Sequence, residues 1–537
     1  MFSGGLNMFW WIVLTFPRVQ VISGFPINLH FSEVARTRIH GRDEFQATTS
    51  ANSEGVQFQF QIQTPDMDAY AAGFHTPTKE VPCRTAEASV IQGTIPSDLR
   101  GTFFRVGPAM FCAGSLSPPV NKANAPNKRQ SEDNFVKHPF DADGAVFAAT
   151  FDNNGQVTYR FRYVRTAAFT RERKKGLKLY NAMENTRSSP STNKLYNDYP
   201  LPMLRHHLNP GANKQRKNTS NTSVIYWANK LLTFWEGGLP YKLDGLALST
   251  EGKSQLGGVL TEDTHLCSRS VHDSKHHRLL MYSLKSEPSM STLTTYEFNQ
   301  AFKLVDGSQR DWAIPGYAIL NDGITATADN WSVVVQPPIN LNNVQYLLNK
   351  DPAKCVSIAQ DSAAFIHLVP RIASPQNTIY SEIISIPIEN DALGVDANVQ
   401  CINAFENLQE KTVTLDLIRS NSSILSPSKA TTKWPFISSL AEYQSIATSK
   451  SLWRYKIDIN SRKIVSKSCI SKMQLYFAAV DNRVSGQKHK FVYASVGGLG
   501  DEIAPPQGLA TFNCDTNETQ VRLFGFWSIF LWTLIHE

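Results

Sequence analysis

Apolar and polar residues follow one another in short runs that stop at turn residues, and this rhythm predicts strands rather than helices. In Ala145–Val164 (AVFAATFDNNGQVTYRFRYV) two β-rich runs flank Asp152-Asn153-Asn154-Gly155. Asn-Gly between such runs is a strong hairpin signal. Ser223–Trp235 (SVIYWANKLLTFW) repeats the form, with Ala228-Asn229-Lys230 at its turn. Leu452–Val465 turns at Asn460-Ser461, and Gly508–Leu523 turns at Asp515–Asn517. No long stretch carries apolar residues at helical spacing. Short hairpins repeated over several hundred residues predict an all-β propeller or a large sandwich. A propeller also allows most of a 537-residue chain to be one domain.

The pattern divides the chain into three parts. Residues 1–75 read as a leader, 76–523 as the β domain and 524–537 as an apolar tail. The leader opens with Met8–Phe16 (MFWWIVLTF), the core of a signal peptide, and continues through Ser23-Gly24-Phe25-Pro26 into a mixed Arg, Ser, Thr and Gln stretch. That order resembles the two-part leader of algal secondary plastids and implies a plastid location. The tail run Phe524–Ile535 falls short of the roughly 18–20 apolar residues of a membrane span. Ser115–Lys137 and Arg171–Ser223 read as solvated insertions between strands. In the second, the basic runs Arg171–Lys175 and Lys214–Lys217 suggest, as the sharper reading, peripheral contact with a membrane or anionic surface. Asn218 and Asn221 open N-x-Ser/Thr sequons.

Composition narrows the chemistry. Apolar residues make up 42% and charged residues 18%, which excludes disorder over the whole chain. A net charge of +7 is small for this length and does not mark a nucleic-acid binder. Seven scattered Cys without a CxxC pair exclude a zinc ribbon and a dense disulfide scaffold. No Gly-x-Ser-x-Gly elbow and no strand-borne Gly-x-Gly-x-x-Gly is present, so hydrolase and Rossmann readings fail. The 13 His are the residues from which a metal enzyme would draw its ligands.

Five phrases stand at turns beside strands. They are GTIPSDLRGTFFRVGP (Gly93–Pro108), HPFDADGAV (His138–Val146), WEGGLPYKLD (Trp235–Asp244), INAFE (Ile402–Glu406) and APPQGLATFNC (Ala504–Cys514). In this order the chain resembles the carotenoid cleavage oxygenase family, which includes the plant epoxycarotenoid dioxygenases and the retinoid isomerase of the eye. The resemblance implies a seven-bladed β-propeller with a cap of loops and short helices, here incomplete at its C-terminus. It implies an Fe(II) ion on the axis held by four His, with Glu carboxylates behind three of them. It also implies an apolar tunnel for a carotenoid or apocarotenoid, which O2 cleaves at a double bond. Imidazole suits Fe(II), and a carboxylate behind it orients the ring.

The ligand positions in this chain do not carry His. In Ser268-Arg269-Ser270-Val271-His272-Asp273 the first position holds Arg269, and His272, three residues late, is a weak alternative. In LNDGITATADNWSVVVQ (Leu320–Gln336) the second position holds Asn321, or Gly323 if anchored on the strand. The third, three residues before Asn403, holds Gln400. The fourth has no counterpart, and His536 in the tail reads as chance. Of the supporting carboxylates, Glu236 is kept, while Tyr476 stands at the next. Arg has no lone pair to donate. Its charge would repel the metal by about 4 kcal/mol per unit charge at 4 Å and an effective dielectric of 20. His206 and His207, and His265, His276 and His277, read as loop residues or at most a fortuitous weak site. The chain is therefore expected to be a carotenoid oxygenase scaffold with impaired iron chemistry; the alternatives are a non-catalytic binder of the same polyenes and a decayed paralogue.

Overall fold

A computed structural model describes residues 76–523 except for internal stretches, the longest being 112–135, 181–216 and 421–438. The leader, the tail with His536, and residues 206, 207, 265 and 319–323 lie outside the described residues.

The described strands form six four-stranded antiparallel sheets arranged as propeller blades. Blade 1 holds β1 (Val81–Thr85), β2 (Gly101–Met110), β3 (Asp143–Phe151) and β4 (Val157–Tyr163), in the spatial order β1-β4-β3-β2. The other blades are meanders. Blade 2 comprises β5 (Ser223–Trp227), β6 (Lys230–Phe234), β7 (Tyr241–Leu243) and β8 (Thr250–Lys253). Blade 3 comprises β9 (Val271–Asp273), β10 (Arg278–Lys285), β11 (Met290–Phe298) and β12 (Arg310–Pro315). In blade 4, β13 (Ile324–Ala326) and β14 (Trp331–Gln336) are followed by an inserted hairpin, β15 (Ile339–Leu341) and β16 (Val356–Ile358), before β17 (Ala364–Pro370) and β18 (Ile384–Ile388). Blade 5 comprises β19 (Val399–Asn407), β20 (Thr412–Ser420), β21 (Lys450–Asp458) and β22 (Lys463–Ser471). Blade 6 comprises β23 (Leu475–Ala479), β24 (Phe491–Val496), β25 (Gly508–Asn513) and β26 (Thr519–Leu523). Two short helices, α1 (Ala167–Lys175) and α2 (Leu440–Ile446), stand among the described residues.

The predicted hairpins are the blade hairpins. Ala228 and Asn229 both take positive φ (49° and 60°), as a two-residue primed turn between β5 and β6 requires. Asn517 does the same before β26, with φ 59°. Between β21 and β22 the left-handed residue is Arg462, just past the Asn460-Ser461 turn.

The apolar core lies between blades. Side chains alternate across each strand, so one strand serves two interfaces. Leu415 and Leu417 of β20 pack with Trp331, Val333 and Leu368 of blade 4. Ile418 packs with Val492, Val496 and Phe512 of blade 6.

The segment read as a solvated basic insertion is partly interior. Arg171–Lys175 belongs to α1, and Lys217 and Glu172 are both buried. Lys217 Nζ donates to Asp143 Oδ2 at 2.7 Å and Glu172 Oε2 at 2.6 Å. These groups are 74 and 45 residues from Lys217 in sequence, beyond the reach of local charge patterning. The sequon asparagines are structural too. Asn221 Nδ2 donates to Ala142 O at 2.7 Å, and Asn218 Nδ2 donates to Leu239 O at 3.0 Å. The HPFDADG phrase ends at the same seam. A Cβ on Gly144 would lie 2.3 Å from Ser220 O, so only glycine allows this approach.

Candidate functional site

The inside of the ring is lined by edge strands. β2 packs beside β5, β9 beside β13, β13 beside β19, and β19 beside β23. The residues singled out from sequence lie at or just before several of these strands.

Arg269 lies two residues before β9, half-buried. Its neighbour Ser268 is clamped by blade 2. Ser223 Oγ donates to Ser268 O, and Ser268 Oγ donates to Glu236 Oε1 at 2.9 Å. Glu236 thus stands beside the first candidate position. Gln400 lies near the start of β19 and is buried, 7% exposed. Asn321 and Gly323 are outside the described residues. His272 lies on β9 and meets the Trp227 ring edge-on at 5.5 Å, toward blade 2. Burial lowers its basicity.

Tyr476 is fully engaged. Its hydroxyl donates to Ala504 O at 2.8 Å and accepts from Gln474 Nε2 at 3.1 Å. The Tyr443 hydroxyl lies 2.9 Å away. A phenol has one proton to give, so with Ala504 taking it, Tyr443 must be the donor.

The INAFE phrase is a two-way clamp. Asn403 Oδ1 accepts from Gly486 N–H at 2.9 Å, and Asn403 Nδ2 donates to Gln487 O at 3.1 Å, both toward blade 6. Glu406 accepts from Asn330 Nδ2 at 2.6 Å and from Asn330 N–H at 3.2 Å, toward blade 4. The connector after β23 also reaches blade 3. Ser274 Oγ donates to Ser485 O at 2.9 Å, and Gln487 Nε2 donates to Ser274 Oγ at 2.8 Å. This connector ties blade 6 to blades 3 and 5 at the end of the ring where β9 finishes.

One His/Cys/Asp group stands out that sequence reading missed, because its members come from three separate elements. Ligand atoms of Asp416, His489 and Cys514, all buried, lie within 4.8 Å of one another. Arg454 already holds both oxygens of Asp416, at 2.7 Å (Nε to Oδ1) and 2.8 Å (Nη2 to Oδ2). His489 Nε2 stands 2.7 Å from Asp416 Oδ2. Because Asn403 Oδ1 is fixed by Gly486, its Nδ2 faces His489 Nδ1 at 2.9 Å and makes that nitrogen the acceptor. Nε2 then carries a proton that faces Asp416 Oδ2. A metal there would have to displace that proton and lie beside Arg454. Burial pushes the Cys514 thiol up to about 12, far from a thiolate. Burial also raises Asp416, but Arg454 and His489 outweigh it and hold the carboxyl below its usual range. The group is a closed polar seam between blades 5 and 6 rather than a metal centre.

His367 is a second buried imidazole the sequence did not flag. Gln336 Nε2 donates to Pro315 O at 3.1 Å, so Gln336 Oε1 accepts from His367 Nε2 at 2.8 Å, and Ser385 Oγ serves Nδ1 at 2.9 Å. Burial lowers its pKa to about 4. The unfolded ring, with an ordinary pKa near about 6.5, then binds protons that the folded ring refuses. Stability is intact above that value and falls as pH drops toward the folded pKa, by about 3 kcal/mol in all. Chemical denaturation of His367→Asn between neutral pH and the folded pKa should show this acid loss removed. A variant with an unchanged acid slope would assign the loss elsewhere.

The family model described as RPE65, retinal pigment epithelial membrane protein, matches residues 74–533. The chain is 28% identical over 450 residues to apocarotenoid-15,15'-oxygenase of Synechocystis sp., covering 81% of this chain and 78% of that protein. It is 26% identical over 439 residues to isoeugenol monooxygenase of Pseudomonas putida, covering 80% and 76%. Among solved structures, cobalt-substituted Synechocystis ACO superposes with a TM-score of 0.70 at 26% identity, covering 86% of this chain and 85% of that one.

Proposed function

Because the chain belongs to the retinal pigment epithelial membrane protein family of carotenoid and apocarotenoid oxygenases, we propose that it is a carotenoid oxygenase-like protein whose iron chemistry is impaired. The family reaction, as the resemblance has it, is Fe(II)- and O2-dependent cleavage of a carotenoid double bond to apocarotenoid carbonyls. The fold of this reading is the family's seven-bladed propeller in incomplete form, and its location is a plastid.

The observation that carries the impairment is the donor set. Arg269 stands where the resemblance calls for an imidazole, and a guanidinium has no lone pair and keeps its charge at any working pH. Gln400 offers an amide, a weaker and harder donor than imidazole. Tyr476 stands where a supporting carboxylate is expected, and its hydroxyl is committed to Ala504 and its neighbours. Glu236 is in place, but it accepts from Ser268 beside a position that holds no imidazole. These residues do not fit a four-His iron centre.

The test is metal content and product together. Full-length protein loaded with Fe(II) without oxygen and then desalted should retain far less than one iron per chain. With O2 and an apocarotenoid or carotenoid it should yield no shortened aldehyde. One tightly held iron per chain, or aldehyde formed at rates typical of an oxygenase, would overturn the impairment. Retained polyene colour without product fits the binder reading.

A further inference from the structure

We propose that β22, the outer edge of blade 5, is a docking strand for an acidic, extended segment of a partner protein, which joins the four-stranded blade as a further strand. β22 comes last in the order β19-β20-β21-β22, so one of its edges faces no strand among the described residues. An open edge offers a row of backbone N–H and C=O groups to an incoming strand. The blades do not offer it equally. β22 has nine residues, against four to six in β1, β8, β12, β18 and β26. Pro82, Pro315 and Pro387 stand in β1, β12 and β18, and a proline cannot donate to a ladder. β22 has no proline.

Charge selects the partner. Between Asp458 and Asp481 the sequence holds four cations, Arg462, Lys463, Lys467 and Lys472, and no carboxylate. Arg462 and Lys463 are exposed, and none of the four is held in an ion pair among the described residues. Asp458, opposite Lys463 in the ladder, is turned to its own loop, where its Oδ1 accepts from Ser461 N–H at 2.6 Å. Lys463 pairs with Asp458 and Lys467 with Tyr455, so the two lysines lie on opposite faces of β22. A strand laid along this edge meets a cation on either face. The ladder passes over Val465 and Ile470 as bulges, and Val465 is 55% exposed, an aliphatic contact between the two lysines. Bulges and lysines discourage indiscriminate pairing, including pairing with a second copy of β22, whose own lysines would be repelled. The same lysines match carboxylates, so the edge discriminates by charge.

The test is fluorescence anisotropy of the full chain with a fluorescein-labelled peptide of alternating Val and Glu. Two controls are the same peptide with Gln for Glu, and the acidic peptide N-methylated along its backbone. The acidic peptide should bind about three- to tenfold more tightly than the Gln form, as a few exposed ion pairs allow. Raised salt should narrow that gap. N-methylation, which removes the ladder donors, should abolish binding. Lys463→Glu combined with Lys467→Glu should reverse the preference, with the circular dichroism spectrum and thermal melt as in the parent. The peptide comparisons need no variant, so the inference stays testable if the double variant does not fold. Equal binding of the acidic and Gln peptides would overturn the charge assignment, and unchanged binding after N-methylation would overturn strand pairing. No saturable binding up to about 1 mM would overturn the proposal as a whole. So would capture by phosphatidylserine vesicles without peptide binding, which would assign the edge to a lipid surface.

Discussion

Replacing Arg371 with Met is expected to cost about 3–5 kcal/mol of stability, the penalty for removing one partner from a buried ion cluster. Arg371 follows β17 of blade 4 and reaches into blade 3. Its Nη2 donates to Asp273 Oδ2 at 2.6 Å, and its Nε donates to Glu297 Oε1 at 3.0 Å. The Arg371 and Asp273 side chains are 2% and 1% exposed. Arg278 adds a bond to Glu297 Oε2 at 2.9 Å, but it cannot replace the lost charge beside Asp273. Burial raises both carboxyls, and Arg371 outweighs burial to hold both below the usual range. Their stabilisation is thus present above the ordinary carboxylate pKa and is lost as pH falls through the depressed folded values. Urea denaturation should show the midpoint of Arg371→Met falling steeply. Adding Asp273→Asn should restore much of the loss, because the Glu297 charge that remains is still paired with Arg278. A single variant as stable as the parent would show that blades 3 and 4 do not depend on this cluster.

Lys217→Met is expected to cost a similar amount, about 3–5 kcal/mol, with the opposite course in pH. Lys217 lies between Asp143 and Glu172, all three buried, where the start of β3, α1 and the approach to β5 meet. Burial lowers the ammonium's pKa, but the two carboxylates outweigh it and raise it above the ordinary lysine value. The parent therefore keeps this contribution through neutral pH and loses it only as pH rises through that raised value. With the ammonium gone, a proton must stand in for it between two buried carboxylates. The variant should be more stable near about pH 5 than near about pH 8. Thermal melts at those two conditions decide it: a variant with the parent's pH course would mean that water, rather than a dry seam, surrounds the carboxylates.

What was legible in the sequence was whatever is local. The hairpins at Ala228-Asn229 and Asp515–Asn517 were readable because turn chemistry and alternation act within a few residues. The family phrases were readable for the same reason, and they led to the ring and to Arg269 and Gln400. The meaning of those phrases was not legible. INAFE marked a distance to a ligand position, but Asn403 and Glu406 are clamps between blades. HPFDADG read as a turn, whereas Asp143 and Gly144 build a seam with Lys217 and Ser220. Lys217 itself sat in a stretch that looked solvated, because nothing within several residues shows that its partners lie far away in sequence. His489 and Asp416 were missed for the same reason: they meet across blades, and no spacing rule joins them.

The connector after β23 bears on the order of assembly. Ser274 and Ser485 meet across 211 residues of chain, and Ser274 and Gln487 across 213. Hairpins close within their own blades at little cost in chain entropy. A contact this far apart forms only when the blades between have already stacked and brought its two ends together. The tie between blades 3 and 6 is therefore expected to form late in folding. Slow refolding of this chain would be the time taken to find it.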